Sequence, residues 1–384
     1  MVAMVLRPYP LIFQLLALAF IGVAALQFVP AERIRLPRAL EHQRDSLGRL
    51  PWLAAGAVAV GACGVSLFLI SAYTQRMAHV QDSVTYVFQA KMLASGRLFG
   101  PPPPVARVFD FESPPFIIVQ HGKWAGVYSF GHPLALAIGA FFGVMWVVPP
   151  LLGGASIALL YAIGRKLYSA RVGLLAAVLL ASSPFFFMTS SEFMSHNTAT
   201  FYLLASLFFL VITDRRPLVY GALSGLFFGL SFNARQMEAA ALVLPFGLVL
   251  LSRVISREQR RSGAVQIGGF VGAGAVMLLA FLLFNYATRG GAFNTGYAAA
   301  GFQNHIGFGG KHSVAMGIGN EQTQMALLLL VLNGWPVGAG LTFVLMPFVL
   351  ASRKLWDWFF LACAVLLIGV YTLYNGHGIM YGPR

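Results

Sequence analysis

The 384-residue chain is strongly apolar and basic. Apolar residues make up 58% of it, charged residues only 10%, and its net charge is +14. Because a soluble domain carries about a quarter charged residues, this composition excludes a soluble globular protein, a disordered chain and a disulfide-rich secreted domain. The two cysteines, Cys63 and Cys363, lie in apolar runs and indicate neither a disulfide framework nor a Cys-based metal site. What remains is a polytopic helical membrane protein.

About ten stretches are long and apolar enough to cross a bilayer as helices. In chain order they are residues 11–29, 52–72, 150–164, 172–190, 197–213, 218–232, 237–252, 265–286, 323–351 and 355–374. We keep residues 11–29 as a span rather than a signal peptide, because a strong basic segment and a small-residue cleavage site are missing from this region.

A further apolar segment, residues 133–148, decides the topology. When it is treated as an interfacial helix, 16 of the 26 Lys and Arg residues fall on the same side. They lie in short loops at residues 31–51, 165–171, 214–217, 253–262 and 352–354. The positive-inside rule places this side in the cytoplasm. Two long outer loops, residues 73–149 and 287–322, then face the periplasm or cell exterior, and long loops often carry function.

The first outer loop contains three patterns. Asp82 is expected to be the N-cap of a short amphipathic helix that Gly96 ends, with Tyr86 against the membrane surface. Residues 109–116 (FDFESPPF) then place two carboxylates beside a rigid Pro-Pro. Residues 126–134 lead into the interfacial helix, so that the loop is expected to hold two juxtamembrane helices.

Several polar residues stand at the predicted outer ends of spans: Glu192, His196, Asn197, Arg235 and Glu238. One interpretation is that each side chain reaches to the membrane surface on its own, which costs little. The other is a shared polar cavity roofed by the two outer loops, and for the group we favour it. The second outer loop is rich in glycine and aromatics, and is interpreted either as a mobile lid or as a flexible connector.

The order of motifs resembles the GT-C superfamily of polytopic glycosyltransferases, in particular the branch of protein O-mannosyltransferases and the lipid A aminoarabinose transferase. The motifs that carry the resemblance are Asp82-Ser83 with Tyr86 and Gly96, residues 111–116 (FESPPF), 159–184, 229–236 (GLSFNARQ), 285–290 (NYATRG) and 334–336 (GWP). Ser83 stands where the family usually has a second acid. The chain also ends at Arg384, earlier than the resemblance implies, and we expect a fragment or truncated product.

The resemblance implies an all-α GT-C fold in a single membrane domain over residues 1–384, and transfer of a sugar from a polyprenyl-phosphate carrier to an acceptor on the non-cytoplasmic face, with inversion. Asp82 would be the general base, and Glu112 a second acid that orients the acceptor or binds a divalent cation, with His196 as a metal or phosphate partner. Arg235, Arg289 and Lys311 would hold the donor phosphate. The acceptor side of the cavity would be lined by Tyr86, Tyr128, His132 and Asn197.

The expected partners are a polyprenyl-phosphate-linked sugar, membrane lipids, and a lipid, glycan or protein acceptor, in a bacterial inner membrane. Nucleic acid is not expected, since the basic residues are dispersed among short loops. Two other functions stay open. A transporter or flippase for a lipid-linked sugar predicts charges at the bilayer midplane and repeated halves, and an inactive GT-C-like scaffold would fit Ser83 and the early chain end.

Overall fold

The computed structural model describes residues 50–104, 115–212, 216–302, 306–308, 312–326 and 354–374. The described elements are thirteen helices and one hairpin. In chain order they are α1 (Leu50–Ala72), α2 (Gln81–Ala94), β1 (Ile117–Gln120), β2 (Lys123–Gly126), α3 (Gly131–Phe141), α4 (Val148–Leu167), α5 (Ala170–Ala181), α6 (Pro184–Ser190), α7 (Ser195–Val211), α8 (Pro217–Ala234), α9 (Gln236–Ile255), α10 (Arg260–Arg289), α11 (Gly296–Ala299), α12 (Val314–Ala326) and α13 (Leu355–Leu373).

Six described helices are long and apolar enough to cross a membrane: α1, α4 with the short 3-10 turn before it, α8, α9, α10 and α13. A seventh span is formed if α5 and α6, which meet at a 69° bend, are counted together. The all-α polytopic class is thus confirmed, whereas the count of about ten spans is not. The predicted span at residues 11–29 and most of that at 323–351 lie outside the described residues.

Two apolar clusters hold the helices together. The first joins α1, α4, α5 and α6 around Ile157, Tyr161 and Val178. The second joins α7, α8, α9 and α13 around Leu210, Phe246 and Phe359. Since α4 contributes Ile163 to the second cluster, it connects the two halves of the bundle.

Helices α8 and α10 are packed backbone against backbone. Gly221, Gly225 and Gly229 recur every four residues on one face of α8, and a Cβ on Gly225 would lie 2.1 Å from the carbonyl oxygen of Phe270 on α10. Such a stripe of small residues lets helices in a bilayer approach closely and gain dispersion energy. The two parallel helices are thereby fixed in one register.

The juxtamembrane region consists of α2, the hairpin and α3. Helix α3 has 11 residues and is therefore about 16 Å long, too short to cross the hydrocarbon core. The hairpin is a small departure from the all-α prediction; its two-residue turn, His121-Gly122, has positive φ at both positions, as tight hairpins require.

Helix α2 differs from the prediction in two respects. It begins at Gln81 with Val80 as N-cap, so that Asp82 lies inside the first turn and is not the cap. Its buried face is the polar one, and Tyr86 is 4% exposed inside the protein rather than against the membrane surface, while Val84 points outward. The prediction for Tyr86 is therefore wrong, because the polar face of this helix, which includes Tyr86, lines a cavity inside the protein. Gly96, with φ +73°, follows the end of the helix as expected.

His132 fastens α3 to α7. Its ring is completely buried, Nδ1 lies 2.8 Å from the Thr198 hydroxyl, and Nε2 lies 2.9 Å from the carbonyl oxygen of Phe193. A neutral ring satisfies both contacts, with Nε2–H donating to the carbonyl and Nδ1 accepting from Thr198. Burial lowers the pKa of His132 to about 4, so the folded protein holds the ring neutral.

Gly225→Ala is expected to lower the melting temperature of the detergent-solubilised protein by several degrees, because its Cβ would overlap the α10 backbone. Thermal unfolding followed by intrinsic fluorescence measures this. Gly272→Ala on α10 is the matched control, since nothing lies within 4 Å of its Cβ. Equal melting temperatures for both variants would contradict close packing of α8 on α10.

Stability is expected to fall between pH 6.5 and pH 4 on account of His132. The pKa of this group is lowered from 6.5 to about 4, so in this window the unfolded chain binds a proton that the folded protein does not. Melting temperatures measured from pH 7 to pH 4 should therefore decline more steeply for the wild type than for His132→Gln. Parallel pH profiles would show that His132 does not contribute.

Candidate active site

The cavity lies at the end of the bundle where α8 passes into α9. It has a volume of about 510 Å³, and its walls come from α2, the segment after the hairpin, the start of α7, the α8–α9 junction, the end of α10, the segment around α11, and the end of α13. Six of the residues predicted for the site line the cavity: Asp82, Tyr86, Tyr128, His196, Arg235 and Arg289. Among them, His196 was expected as a metal or phosphate partner.

Asp82 projects from the first turn of α2, which places its carboxylate on the cavity wall. One helical turn further on, Tyr86 donates a hydrogen bond from its hydroxyl to Ser195 Oγ at 3.1 Å, which ties α2 to the start of α7. Burial raises the pKa of Tyr86, Tyr297 and Asp82 raise it further, and Arg235 lowers it. Both the acid and the cation thus act electrostatically on the same hydroxyl.

A wall of tyrosines stands beside Asp82. The rings of Tyr86 and Tyr128 are stacked with centroids 4.2 Å apart, and Tyr297 meets Tyr128 edge-on at 5.8 Å. Burial, followed by the neighbouring tyrosines and Asp82, raises the pKa of Tyr128 well above its usual range. The wall therefore stays neutral and presents aromatic faces and hydroxyl groups to the cavity.

Arg235 forms a closed network with Glu238 and Tyr371. It lies between α8 and α9 and makes an ion pair with Glu238 in the first turn of α9. Its Nη2 donates to the Tyr371 hydroxyl at 3.0 Å, and that hydroxyl donates to Glu238 Oε1 at 2.6 Å. Nη1 has no hydrogen bond to any described residue and remains available on a guanidinium that lines the cavity.

Arg289, at the end of α10, is held by oxygens without full charge. Its guanidinium donates to Asn285 Oδ1 at 2.6 Å and to the carbonyl oxygens of Gly126 and Tyr128 at 2.9 and 3.2 Å. Within the part of the chain that the structure describes, no carboxylate pairs with this side chain, which is 1% exposed. Arg289 therefore fixes the segment that carries Tyr128 and leaves an unbalanced positive charge in the cavity wall.

Glu192 lies behind the first turn of α2. It is 6% exposed, and burial raises its pKa, an effect that the Ser83 hydroxyl and the Phe193 amide oppose. A carboxyl group thus lies beside Ser83, the position where the resemblance expects a second acid, although it comes from a different part of the chain.

The other predicted residues take different places. Asn197 is buried and donates from Nδ2 to the Pro149 carbonyl oxygen at 2.8 Å, outside the main cavity. His132 stands behind the wall, edge-on to Tyr86. Glu112 and Lys311 lie outside the described residues.

Part of the segment predicted as the second outer loop lines the cavity through Thr295, Gly296, Tyr297 and Ile306. A Cβ on Gly296 would lie 1.9 Å from the Val127 carbonyl oxygen, so the backbone of this segment contacts the segment after the hairpin directly. No sequence pattern points to Tyr297 or Tyr371 as site residues, and Glu238 is notable in the sequence only as a charge at a helix end.

The resemblance implies a divalent cation near Glu112 and His196. Among the residues with described positions, no group of three or more His, Cys, Asp or Glu side chains is placed to hold one.

Residues 134–286 match the family model described as dolichyl-phosphate-mannose-protein mannosyltransferase. The match includes His196, Arg235 and Glu238, whereas Asp82, Arg289 and Tyr371 lie outside it. No curated protein sequence matches the chain significantly. The family match and the apolar helices confirm the resemblance stated from the sequence: the chain is an integral membrane protein that is similar, over residues 134–286, to a membrane glycosyltransferase family of the GT-C type.

Proposed function

We propose that the protein transfers a sugar from a polyprenyl-phosphate donor to an acceptor hydroxyl at the non-cytoplasmic face of the membrane, with inversion at the anomeric carbon. The observation that supports this most directly is that Asp82 and Arg235 line the same cavity at one end of the bundle. A carboxylate and a guanidinium in one cavity supply the two charges that such a transfer needs.

Asp82 is assigned as the general base. Its carboxylate would accept the proton of the acceptor hydroxyl as the acceptor oxygen bonds to the anomeric carbon. The bond from that carbon to the phosphate oxygen breaks, and the polyprenyl phosphate leaves with the electron pair. For inversion, acceptor and phosphate must lie on opposite faces of the sugar. Asp82 on α2 and Arg235 at the α8–α9 junction are contributed by different walls, which suits this requirement.

Arg235 is assigned to the donor phosphate. Glu238 and Tyr371 hold its guanidinium in place while Nη1 stays available, and a planar guanidinium is well suited to phosphate oxygens. Arg289 makes no ion pair with a described carboxylate and adds positive charge to the same cavity. The wall thereby gains the net charge that a leaving phosphate requires.

The membrane orientation rests on the charge at the opposite end of the bundle. Arg165 and Lys166 end α4, Arg253 lies in the last turn of α9, and Arg260 begins α10. If this basic end is cytoplasmic, the cavity opens to the periplasm or cell exterior, in a bacterial inner membrane on our assignment. We place the tyrosine wall and Glu192 on the acceptor side, and assign Glu112, which lies outside the described residues, to the acceptor as the resemblance implies.

The transporter alternative gains no support from the charged residues that the structure describes. Arg235, Glu238, Glu192 and Arg289 are at helix ends or between helices, not at mid-span. The inactive-scaffold alternative is weakened by Glu192, which supplies a carboxyl group beside Ser83. Transfer activity separates the enzyme from both alternatives.

Asp82→Asn is expected to reduce sugar transfer about 100-fold or more, the usual contribution of a general base, without a comparable loss of expression or melting temperature. Transfer from radiolabelled polyprenyl-phosphate sugars in proteoliposomes measures this. Glu258→Gln removes an exposed acid at the opposite end of the bundle and serves as the control. Near wild-type transfer by Asp82→Asn would refute the base assignment.

Arg235→Gln is expected to lower kcat/KM for the donor about 100-fold, because the phosphate loses a charge-assisted contact and Glu238 is left unpaired. The comparison is Arg216→Gln, an exposed arginine at the other end of the same helix, which should behave as wild type. A donor KM and kcat that are unchanged in Arg235→Gln would exclude the phosphate role.

A further inference from the structure

We infer that the polyprenyl chain of the donor lies in a second cleft, between the bent α5–α6 pair and α7, and reaches the active-site cavity from the bilayer through it. This inference rests on the proposed function and adds the route of the lipid.

The cleft is separate from the main cavity but meets it at three residues. Its volume is about 210 Å³. Leu180, Phe185 and Phe186 form one side of it, and Ala199, Thr200 and Leu203 form the other. His196, Arg235 and Glu238 line both the cleft and the main cavity, so the two spaces adjoin at the charged network.

The bend between α5 and α6 shapes this space. The two helices meet at 69°, and Pro184 at the first position of α6 continues the chain in the new direction. Ser182 and Ser183 satisfy the backbone there: the Ser182 hydroxyl donates to the Leu179 carbonyl oxygen, and Ser183 Oγ accepts from the Phe186 amide. A straight helix would run beside α7, whereas the bent pair leaves a gap.

The cleft has the polarity of the donor itself. Along α7 the cleft extends from His196 to Leu203, a separation of seven residues, which corresponds to about 10 Å along the helix axis. Arg235 and Glu238 line it where it meets the main cavity. The surface of the rest is mostly apolar, from leucine, phenylalanine and alanine side chains, with the polar groups of Ser183, Thr189, Asn197 and Thr200 among them. An isoprenoid phosphate is anionic at one end and apolar along its chain. With its phosphate at Nη1 of Arg235, the first isoprene units would lie on these side chains.

A second apolar groove in the protein has no charged end. It lies between α8 and α10, is lined by Leu218, Val219, Ala222, Leu223, Leu226, Ala273 and Val276, and has a volume of about 500 Å³. Although it is larger, no charged side chain is among its lining residues. It offers a surface to lipid tails in general and nothing that would select a phosphate.

The test compares one bulky substitution in each groove. Thr200→Trp fills the cleft from an exposed position on α7, and Val219→Trp does the same from an exposed position on α8. Each purified variant in nanodiscs is labelled with undecaprenyl phosphate that carries a diazirine in the first isoprene units, and the labelled peptides are identified by mass spectrometry. Thr200→Ala and melting temperatures control for the loss of the hydroxyl and for misfolding.

We expect labelling on α5, α6 or α7 in the wild type, Thr200→Ala and Val219→Trp, and at least a 10-fold reduction in Thr200→Trp. In transfer assays Thr200→Trp should raise the KM for an undecaprenyl donor about 10-fold, with less effect on a donor whose sugar phosphate carries a methyl group in place of the polyprenyl chain. If Thr200→Trp unfolds, Leu203→Trp takes its place.

Equal labelling of Thr200→Trp and wild type would overturn the inference, and so would labels found only on α8 and α10. If the wild type still transfers sugar, the proposed function stays intact in either case. Absence of labelling in the wild type would also overturn the inference about the cleft. Wild-type labelling in the cleft with no transfer from any donor would instead refute the proposed function, and with it the role of the cleft as a donor route.

Discussion

The site depends on the need to satisfy a partly buried guanidinium at the junction of two membrane helices. Arg235 interrupts the helical path between α8 and α9, and its partners come from α9 and α13. A buried charge without partners would cost several kcal/mol, so Glu238 and Tyr371 hold three helices at one point. The end of the bundle is thereby pinned, and the cavity takes its shape around that point.

The juxtamembrane segments are then placed by polar contacts with this pinned end. Ser129 donates to Asn233 Oδ1, next to the end of α8, and Arg289 draws the carbonyl oxygens of Gly126 and Tyr128 toward α10. Gln89 on α2 donates to the same Tyr128 carbonyl oxygen. The aromatic wall that faces Asp82 is consequently held from three directions, which is the kind of support that a preorganised site requires.

The sequence predicted what depends on local composition. Apolar length located the described spans within about five residues, except that the predicted span 172–190 is a bent pair of helices, while most of 323–351 lies outside the described residues. The order of motifs indicated the GT-C type. Contacts between distant segments could not be predicted. The partners of Arg235 are 3 and 136 residues away, and only the shorter spacing could be noticed in the sequence. The amphipathic pattern of α2 did not predict its buried face, because that face carries the polar residues Asp82, Ser83 and Gln89. The glycine stripe of α8 was visible in the sequence as a four-residue repeat, but its partner helix was not.

The glycine stripe of α8 also affects the two arginines that are proposed to bind the donor phosphate. Helix α8 ends at the residue before Arg235, and α10 ends with Arg289. The backbones of these two parallel helices touch at Gly221 and Gly225, and Gly229 meets the Met277 side chain. One helix therefore cannot slide past the other, and the backbone positions of the two arginines keep a fixed separation. On the proposed function, the glycines therefore help to set how large a phosphate-bearing group fits beside the two arginines. On the proposed function, substitutions at these glycines would change which donor head group is accepted, although they alter no residue that contacts the head group.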